Sequence, residues 1–325
     1  MTYIDRFLIK HTSNYKCNYD CKYCTIHGED KVTPTLDNFK KYLNIINDIL
    51  VKDYHGVTFS LTGGEPSVSP IYVDTIKYML GDIFKDRDFI LKLDTNLTHP
   101  EKIVEIIDYH KSINSNAQLY LRVSYHGEEL NYDFESLLEK IIKISDIRPN
   151  KMKILFHFML ENSPKIKDNI DWVFAHKDYI LGNNIYIKFK GISDFPDYYN
   201  ECDTRQYLFD NYELRDFDKL LVRGYSSTDM ERIYTRHQRF FKYQKCNAVI
   251  NAVHFYHDGT IFPCPNTHPN VKPLGNLNDE TTLETMRKIK EIGWYWCQYD
   301  SCKGSTEFNY PEKIGKNTPL KIIKI

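Results

Sequence analysis

Apolar positions along the first 190 residues switch between two periods. Short runs rich in β-branched and aromatic residues fall at 3–10, 57–61, 89–93, 119–124, 154–160 and 185–190. Between them the apolar residues recur every three or four positions, the spacing of an amphipathic helix. The first such stripe is the cleanest: Leu36, Phe39, Leu43, Ile46 and Leu50, with Thr33-Pro34 ahead of it as the expected cap and first-turn proline. Weaker stripes cover 71–80, 101–109, 134–144 and 170–180. Strands alternating with helices imply β/α units around a parallel sheet. The expected fold class is therefore α/β, a partial (β/α)6 barrel of the TIM type.

Past Gly191 this periodicity is lost. Residues 191–244 are rich in Tyr, Asp, Arg and Phe and predict a connecting or substrate-binding region. Apolar runs return at 253–256 and 260–262, on either side of His257-Asp258-Gly259. An Asp-Gly pair tolerates the positive φ of a tight turn, so this segment predicts a β-hairpin in a small separate module. Three domains are expected: 1–190, 191–244 and 245–325. The Lys-rich stretch 313–325 predicts a solvated end.

Composition narrows the function classes. Lys and Arg number 43 against 44 Asp and Glu, a formal net charge of −1 in 325 residues, so there is no bulk electrostatic case for binding nucleic acid or anionic membrane. A chain with 42% apolar and 27% charged residues has the balance of a folded protein, which excludes disorder as its main state. No apolar run approaches the roughly 18–20 residues of a spanning helix, and the N-terminus lacks the long apolar stretch of a secretion signal. The expected location is the cytoplasm. In that compartment eight cysteines argue for metal or redox chemistry over disulfides.

Cys17, Cys21 and Cys24 place three thiolates in the loop after the first strand. A four-iron cluster takes four ligands, so three cysteines leave one iron open to a small molecule. A zinc loop completed by His27 or His11 would use the same thiolates. At the end of the second strand, where barrel active sites gather, stands Thr62-Gly63-Gly64-Glu65-Pro66, whose glycines permit close backbone approach.

The C-x3-C-x2-C spacing, with aromatic Tyr23 before its last cysteine and the Gly-Gly-Glu-Pro segment one strand later, resembles the radical S-adenosylmethionine (SAM) superfamily over roughly residues 1–190. The resemblance implies that Cys17, Cys21 and Cys24 hold a 4Fe–4S cluster whose fourth iron is chelated by SAM. Reductive cleavage of SAM would then give a 5′-deoxyadenosyl radical that abstracts hydrogen from substrate. By the same comparison Gly63, Gly64, Glu65 and Pro66 flank SAM, with Glu65 or adjacent carbonyls accepting from its ammonium. Asn96 and Ser124 resemble the positions that hold the carboxylate and ribose, and Tyr23 and the Gly191 backbone those near adenine. Many relatives carry an acidic residue two places after the serine; this chain has His126.

Cys246, Cys264, Cys297 and Cys302, with Gly259 and Leu274-Gly275-Asn276 among them, resemble the C-terminal SPASM/twitch extensions. The full SPASM pattern has seven cysteines. Four imply a small twitch-like domain with one auxiliary 4Fe–4S cluster, fully protein-ligated and serving electron transfer or structure. A structural zinc could use the same four thiolates. Cys202 belongs to neither set; by analogy with radical peptide epimerases it is a candidate hydrogen-atom donor, and otherwise a small apolar residue. His254, His257 and His268 are expected to be structural. The 25 Tyr and 18 Phe are expected in core and cluster shielding, since no basic groove accompanies them. The implied function is radical SAM modification of a peptide by epimerisation or crosslinking, fed by a flavodoxin- or ferredoxin-type electron donor. A small-molecule substrate (sugar, nucleoside or amino acid) and a non-catalytic SAM-binding iron–sulfur sensor are the alternatives.

Overall fold

The computed structural model describes residues 6–21, 23–24, 30, 32–127, 133–161, 164–191, 207–208, 210–212, 245–246, 248–264 and 272–296. Six strands run parallel in chain order: β1 (Arg6–Thr12), β2 (Gly56–Thr62), β3 (Asp88–Thr95), β4 (Gln118–Tyr125), β5 (Met152–Leu160) and β6 (Ile185–Gly191). The helices between them are α1 (Leu36–Ile46), α2 (Tyr72–Tyr78), α3 (Pro100–Ser112), α4 (Phe134–Ile147), α5 (Pro164–Ala175) and α6 (Lys177–Gly182). This is the expected partial-barrel order.

Alternation along the strands explains the layering. On β3 and β4, Leu91, Leu93, Leu119, Leu121 and Val123 are buried, and they join one apolar cluster with Leu43, Ile103, Ile107, Leu137 and Ile141 of the helices. Each such side chain contributes about 1.5–3 kcal/mol on burial. Residues of the other parity, such as Lys92, Asp94 and Arg122, face the helix-free interior and are partly exposed.

Three local expectations change. The cap of α1 is Thr35, whose side chain accepts from the Asn38 amide at 3.2 Å, so Thr33-Pro34 lies ahead of the helix. A hydroxyl bonded to the N3 amide satisfies a donor that proline at position 34 cannot reach. The stripe at 170–180 is two helices, α5 and α6, broken at His176, whose ring stacks on Trp172 at 3.9 Å. Both α1 and α2 run on into a π turn, Asn47–Val51 and Met79–Ile83. At the first, Arg87 Nη1 donates to the Val51 and Tyr54 carbonyls (3.0 and 3.2 Å), satisfying acceptors the helix leaves open.

The C-terminal hairpin forms, but it is not set apart. β8 (Ala252–Tyr256) pairs in parallel with β1, β9 (Thr260–Phe262) folds back on β8, and β10 (Gly275–Asn276) follows, giving one nine-stranded sheet. The physical reason is an open edge: β1 is first in the barrel and has no other neighbour on that side. α7 (Glu280–Ile292) packs behind it and ties Lys290 to Asp53 at 2.6 Å. β7 (Lys245–Cys246) pairs separately with β11 (Tyr295–Trp296). Among the described residues no helix is long and apolar enough to cross a membrane.

Candidate active site

The loop bearing Cys17, Cys21 and Cys24 leaves β1 and lies across the C-terminal ends of the strands, held by three of them. From β2, Gly64 N–H donates to the Asn14 carbonyl (3.0 Å) and Glu65 N–H to the Lys16 carbonyl (2.8 Å). A Cβ on Gly64 would lie 2.5 Å from the Lys16 carbonyl carbon, so glycine there is a condition of the loop's approach. Asn14 Nδ2 returns a bond to the Glu65 carbonyl at 3.2 Å.

The Glu65 side chain turns into the protein. Its Oε1 accepts from Ser67 N–H (3.0 Å), Ser67 Oγ (2.6 Å) and Thr95 Oγ1 (2.8 Å), and its Oε2 from Asn96 N–H (2.6 Å). Burial pushes its carboxyl up while these donors pull it down. The carboxylate thus braces the ends of β2 and β3 together. Asn96, buried beside it, extends the brace: its Nδ2 donates to Asn18 Oδ1 at 2.9 Å, inside the cysteine loop. Pro66 opens a single 3-10 turn, and Lys102 Nζ caps that turn through the Ser67 carbonyl.

At the far side of the mouth, Cys21 and Tyr23 pack on Met159 of β5. Tyr23 Oη donates to Glu161 Oε1 at 2.5 Å and also meets His126 Nδ1; that nitrogen lies 3.5 Å from Cys21 Sγ. Burial above all, then the carboxylate of Glu161, pushes the Tyr23 phenol far up, so it stays protonated and donates. His126 stands just past β4 and Ser124 within it, opposite His157 of β5. Glu161 was not singled out from the sequence; an acid directly after a strand's C-terminal end was a weak signal, and only the fold shows that it is fully buried. The Gly191 backbone closes β6 opposite Leu160.

The loop's return is pinned by the hairpin. Asp30 Oδ1 accepts from Tyr15 N–H (2.6 Å) and lies 3.4 Å from His257 Nε2, with both side chains buried. His254 Nε2 meets Thr12 Oγ1 at 2.8 Å. His11 stacks on Phe255 at 4.2 Å with Nδ1 against the Phe255 carbonyl, inside the core, so it does not join the thiols.

Between Cys246 and Cys264 in the chain, Val249 N–H donates to both the Ala252 and Pro263 carbonyls, and Cys246 stands opposite Tyr295 in the β7–β11 pair. Cys202, Cys297, Cys302, His27 and His268 lie outside the described residues. None of the five described cysteines is in a disulfide.

A sequence model of the radical SAM superfamily matches residues 12–173, which includes the cysteine loop and β2 through α5. The chain belongs to the radical SAM superfamily. It is 23% identical over 306 residues to the radical SAM cyclopropyl synthase TigE of Paramaledivibacter caminithermalis, covering 88% of this chain and 63% of that curated relative's length. Streptococcus suis SuiB, in a crystal structure with its precursor peptide SuiA, matches at a TM-score of 0.52 and 13% identity, over 90% of this chain and 70% of SuiB. The protein anSMEcpe, with bound AdoMet and the Kp18Cys peptide, matches at 0.55 and 14%, over 88% and 82%. These structural likenesses show the fold.

The superfamily implies a 4Fe–4S cluster and SAM, and the residues here fit that pair. Three thiols share one braced loop over the barrel mouth, and Tyr19 N–H donates to Cys17 Sγ at 3.4 Å, the kind of donor that stabilises a ligating thiolate. Among the described residues no three His, Cys, Asp or Glu side chains converge as around a single ion.

Proposed function

We propose that this chain is a radical SAM enzyme acting on a peptide, by epimerisation or crosslinking. The observation that carries the reading is the cysteine loop clamped beside Gly63-Gly64-Glu65 at the mouth of a partial barrel. Cys17, Cys21 and Cys24 would hold the cluster, and the bound, reduced cluster supplies the electron that cleaves SAM to a hydrogen-abstracting 5′-deoxyadenosyl radical. Because the Glu65 carboxylate already takes four internal bonds, the backbone carbonyls of Gly63 and Gly64 would be the acceptors for the SAM ammonium. Asn96 and Ser124 would meet its carboxylate and ribose, and Tyr23 and Gly191 its adenine. The peptides bound in the SuiB and anSMEcpe structures support a peptide substrate.

Cys246 and Cys264, with Cys297 and Cys302, would form an auxiliary cluster of twitch type. Two features of the described part support it. Ala248 N–H donates to Cys246 Sγ at 3.4 Å, repeating the device at Cys17. Val249 adopts φ 69°, a left-handed conformation costly for a β-branched residue, three residues after Cys246. Cys202 remains the candidate hydrogen-atom donor.

Anaerobic reconstitution tests the reading. Wild type should yield 5′-deoxyadenosine from SAM under dithionite, and changing Cys17, Cys21 and Cys24 to Ala should abolish it and remove about half the iron. A reduced, iron-replete wild type that leaves SAM intact would reject the enzyme; full loss of iron in the triple variant would reject the second cluster.

A further inference from the structure

A one-way chain of hydrogen bonds ends on the sulfur of Cys21. Glu161, the first residue past β5, is fully buried, and its Oε1 accepts from Tyr23 Oη at 2.5 Å. A phenol has a single proton. With that proton given to Glu161, the short contact between Tyr23 Oη and His126 Nδ1 leaves the oxygen to accept and the ring nitrogen to donate. His126 Nδ1 therefore carries its hydrogen, and the same nitrogen lies 3.5 Å from Cys21 Sγ, within reach of a bond to sulfur. Which ring nitrogen of a histidine is protonated is set by the bonds the ring makes, and here a carboxylate one side chain removed makes the choice.

The surroundings hold this arrangement in place. Cys21, Tyr23 and Met159 form a small buried cluster, so the chain of bonds runs through a medium poor in water, where each bond is stronger. The His126 ring lies nearly parallel to that of Tyr23, with 19° between the planes, and meets Tyr19 edge-on at 5.7 Å. Burial, then the Glu161 charge, keeps the Tyr23 phenol protonated, so it remains a donor. The bond from Tyr19 N–H to Cys17 Sγ, at 3.4 Å, comes from the backbone and is fixed by the fold. The donor facing Cys21 is a side chain and depends on Glu161 for its direction.

We infer that His126, oriented by Glu161 through Tyr23, donates a hydrogen bond to the Cys21 thiolate and thereby raises the reduction potential of the cluster that this thiolate binds. This rests on the cluster reading above and adds two positioning residues to it, His126 and Glu161. Reduction brings one electron from an external donor onto the cluster and moves no proton, so the reduced state is more negative by one charge. A donor on a ligating sulfur favours that more negative state. The hydroxyl of Tyr23 thus has a part that is separate from any contact its ring makes with a ligand.

The test uses the reconstituted full chain without SAM at pH 8, titrated anaerobically with dithionite while the reduced cluster is followed by EPR. Adding SAM to a reduced sample marks the signal that belongs to Cys17, Cys21 and Cys24. His126→Leu should bind as much iron as wild type but lower the midpoint, so that the ratio of reduced to oxidised cluster at a fixed potential falls about tenfold, equivalent to ~59 mV for one electron. His126→Asn, which keeps an N–H at about the Nδ1 position, should restore most of it. A cofactor-free measurement runs beside these: NMR of the labelled histidine ring nitrogens in the apo chain, with His126 identified by its loss in the Asn variant. It should show hydrogen on Nδ1 in wild type, moving to Nε2 in Glu161→Leu. An unchanged midpoint in His126→Leu, a midpoint in His126→Asn as low as in His126→Leu, or a bare Nδ1 in wild type would each overturn the inference. Absence of any SAM-responsive signal in iron-replete wild type would reject the cluster reading, and this inference with it.

Discussion

Replacing Glu65 by Gln separates a brace from a ligand at the centre of the site. In the wild type all four hydrogen bonds to the carboxylate come from donors, two of them backbone N–H groups that cannot turn away. Glutamine keeps one oxygen. Placed at the Oε1 position, it preserves the Ser67 and Thr95 bonds, but its amide nitrogen then faces the Asn96 N–H, donor against donor. The loss is one charge-assisted bond plus an unsatisfied buried amide, about 2–3 kcal/mol. Glu65→Ala strands both amides and should cost about 3–5 kcal/mol. Urea denaturation of the cluster-free protein measures this without any cofactor. If Glu65→Gln lay within about 0.5 kcal/mol of wild type, the carboxylate would not be the junction between β2 and β3. Its charge would then have to serve the SAM ammonium instead.

Gly64→Ala should destabilise by about 1–3 kcal/mol or more, because the new methyl meets backbone of the cysteine loop that has nowhere to yield; iron bound per chain after reconstitution should fall with it. Acid should destabilise through His11, whose pKa burial lowers to about 3 from 6.5. Between those values the unfolded chain holds a proton that the native core refuses, so stability falls by about 1.4 kcal/mol per pH unit on acidification. From pH 6.5 to 5 that is about 2 kcal/mol, and His11→Phe should lose that much less over the same interval in urea midpoints. A double-mutant cycle with Asp30→Asn and His257→Gln should show a coupling of about 1 kcal/mol or more; additivity would mean that the hairpin does not pin the loop.

How much of this was legible in the sequence follows from which interactions are local. The six barrel strands and their helices were, because alternation and 3.6-residue periodicity are imposed over a few residues by a face that must be buried. The Cys17-Cys21-Cys24 loop and the Gly-Gly-Glu-Pro segment stood out as well, because three thiols within eight residues leave few other uses. What Glu65 does was not: a carboxylate in a strand-end loop looks equally ready to meet a ligand or a ring of amides, and only the fold brings Thr95 and Asn96 to it. Glu161 was missed for the same reason, since its partner Tyr23 is 138 residues away. At the start of α1 the error was local: Thr33-Pro34 and Thr35 are both plausible starts, and the choice was made by whichever oxygen reached Asn38 N–H.

The pairing of β8 with β1 is the least local feature, and it changes what the C-terminal segment is for. A parallel strand edge left open is a template for pairing with another chain. Here β8 occupies it, with Thr12 bound to His254 and His11 stacked on Phe255 across 244 residues of sequence. The same hairpin carries His257 to Asp30, at the return of the cysteine loop, while Tyr54 Oη reaches the Ile250 carbonyl at 2.6 Å from the other end of the strand. One segment therefore covers the edge of the barrel and supplies one anchor of the loop; the ends of β2, β3 and β5 supply the others. A loop held at a single anchor could pivot, but one held from several directions must place its thiols in a fixed relation to Gly63 and Gly64. Geometry of that kind is what a site needs when a ligand must be gripped by a metal on one side and backbone carbonyls on the other. The hairpin belongs to the barrel's working end, although its sequence stands far from the rest of it.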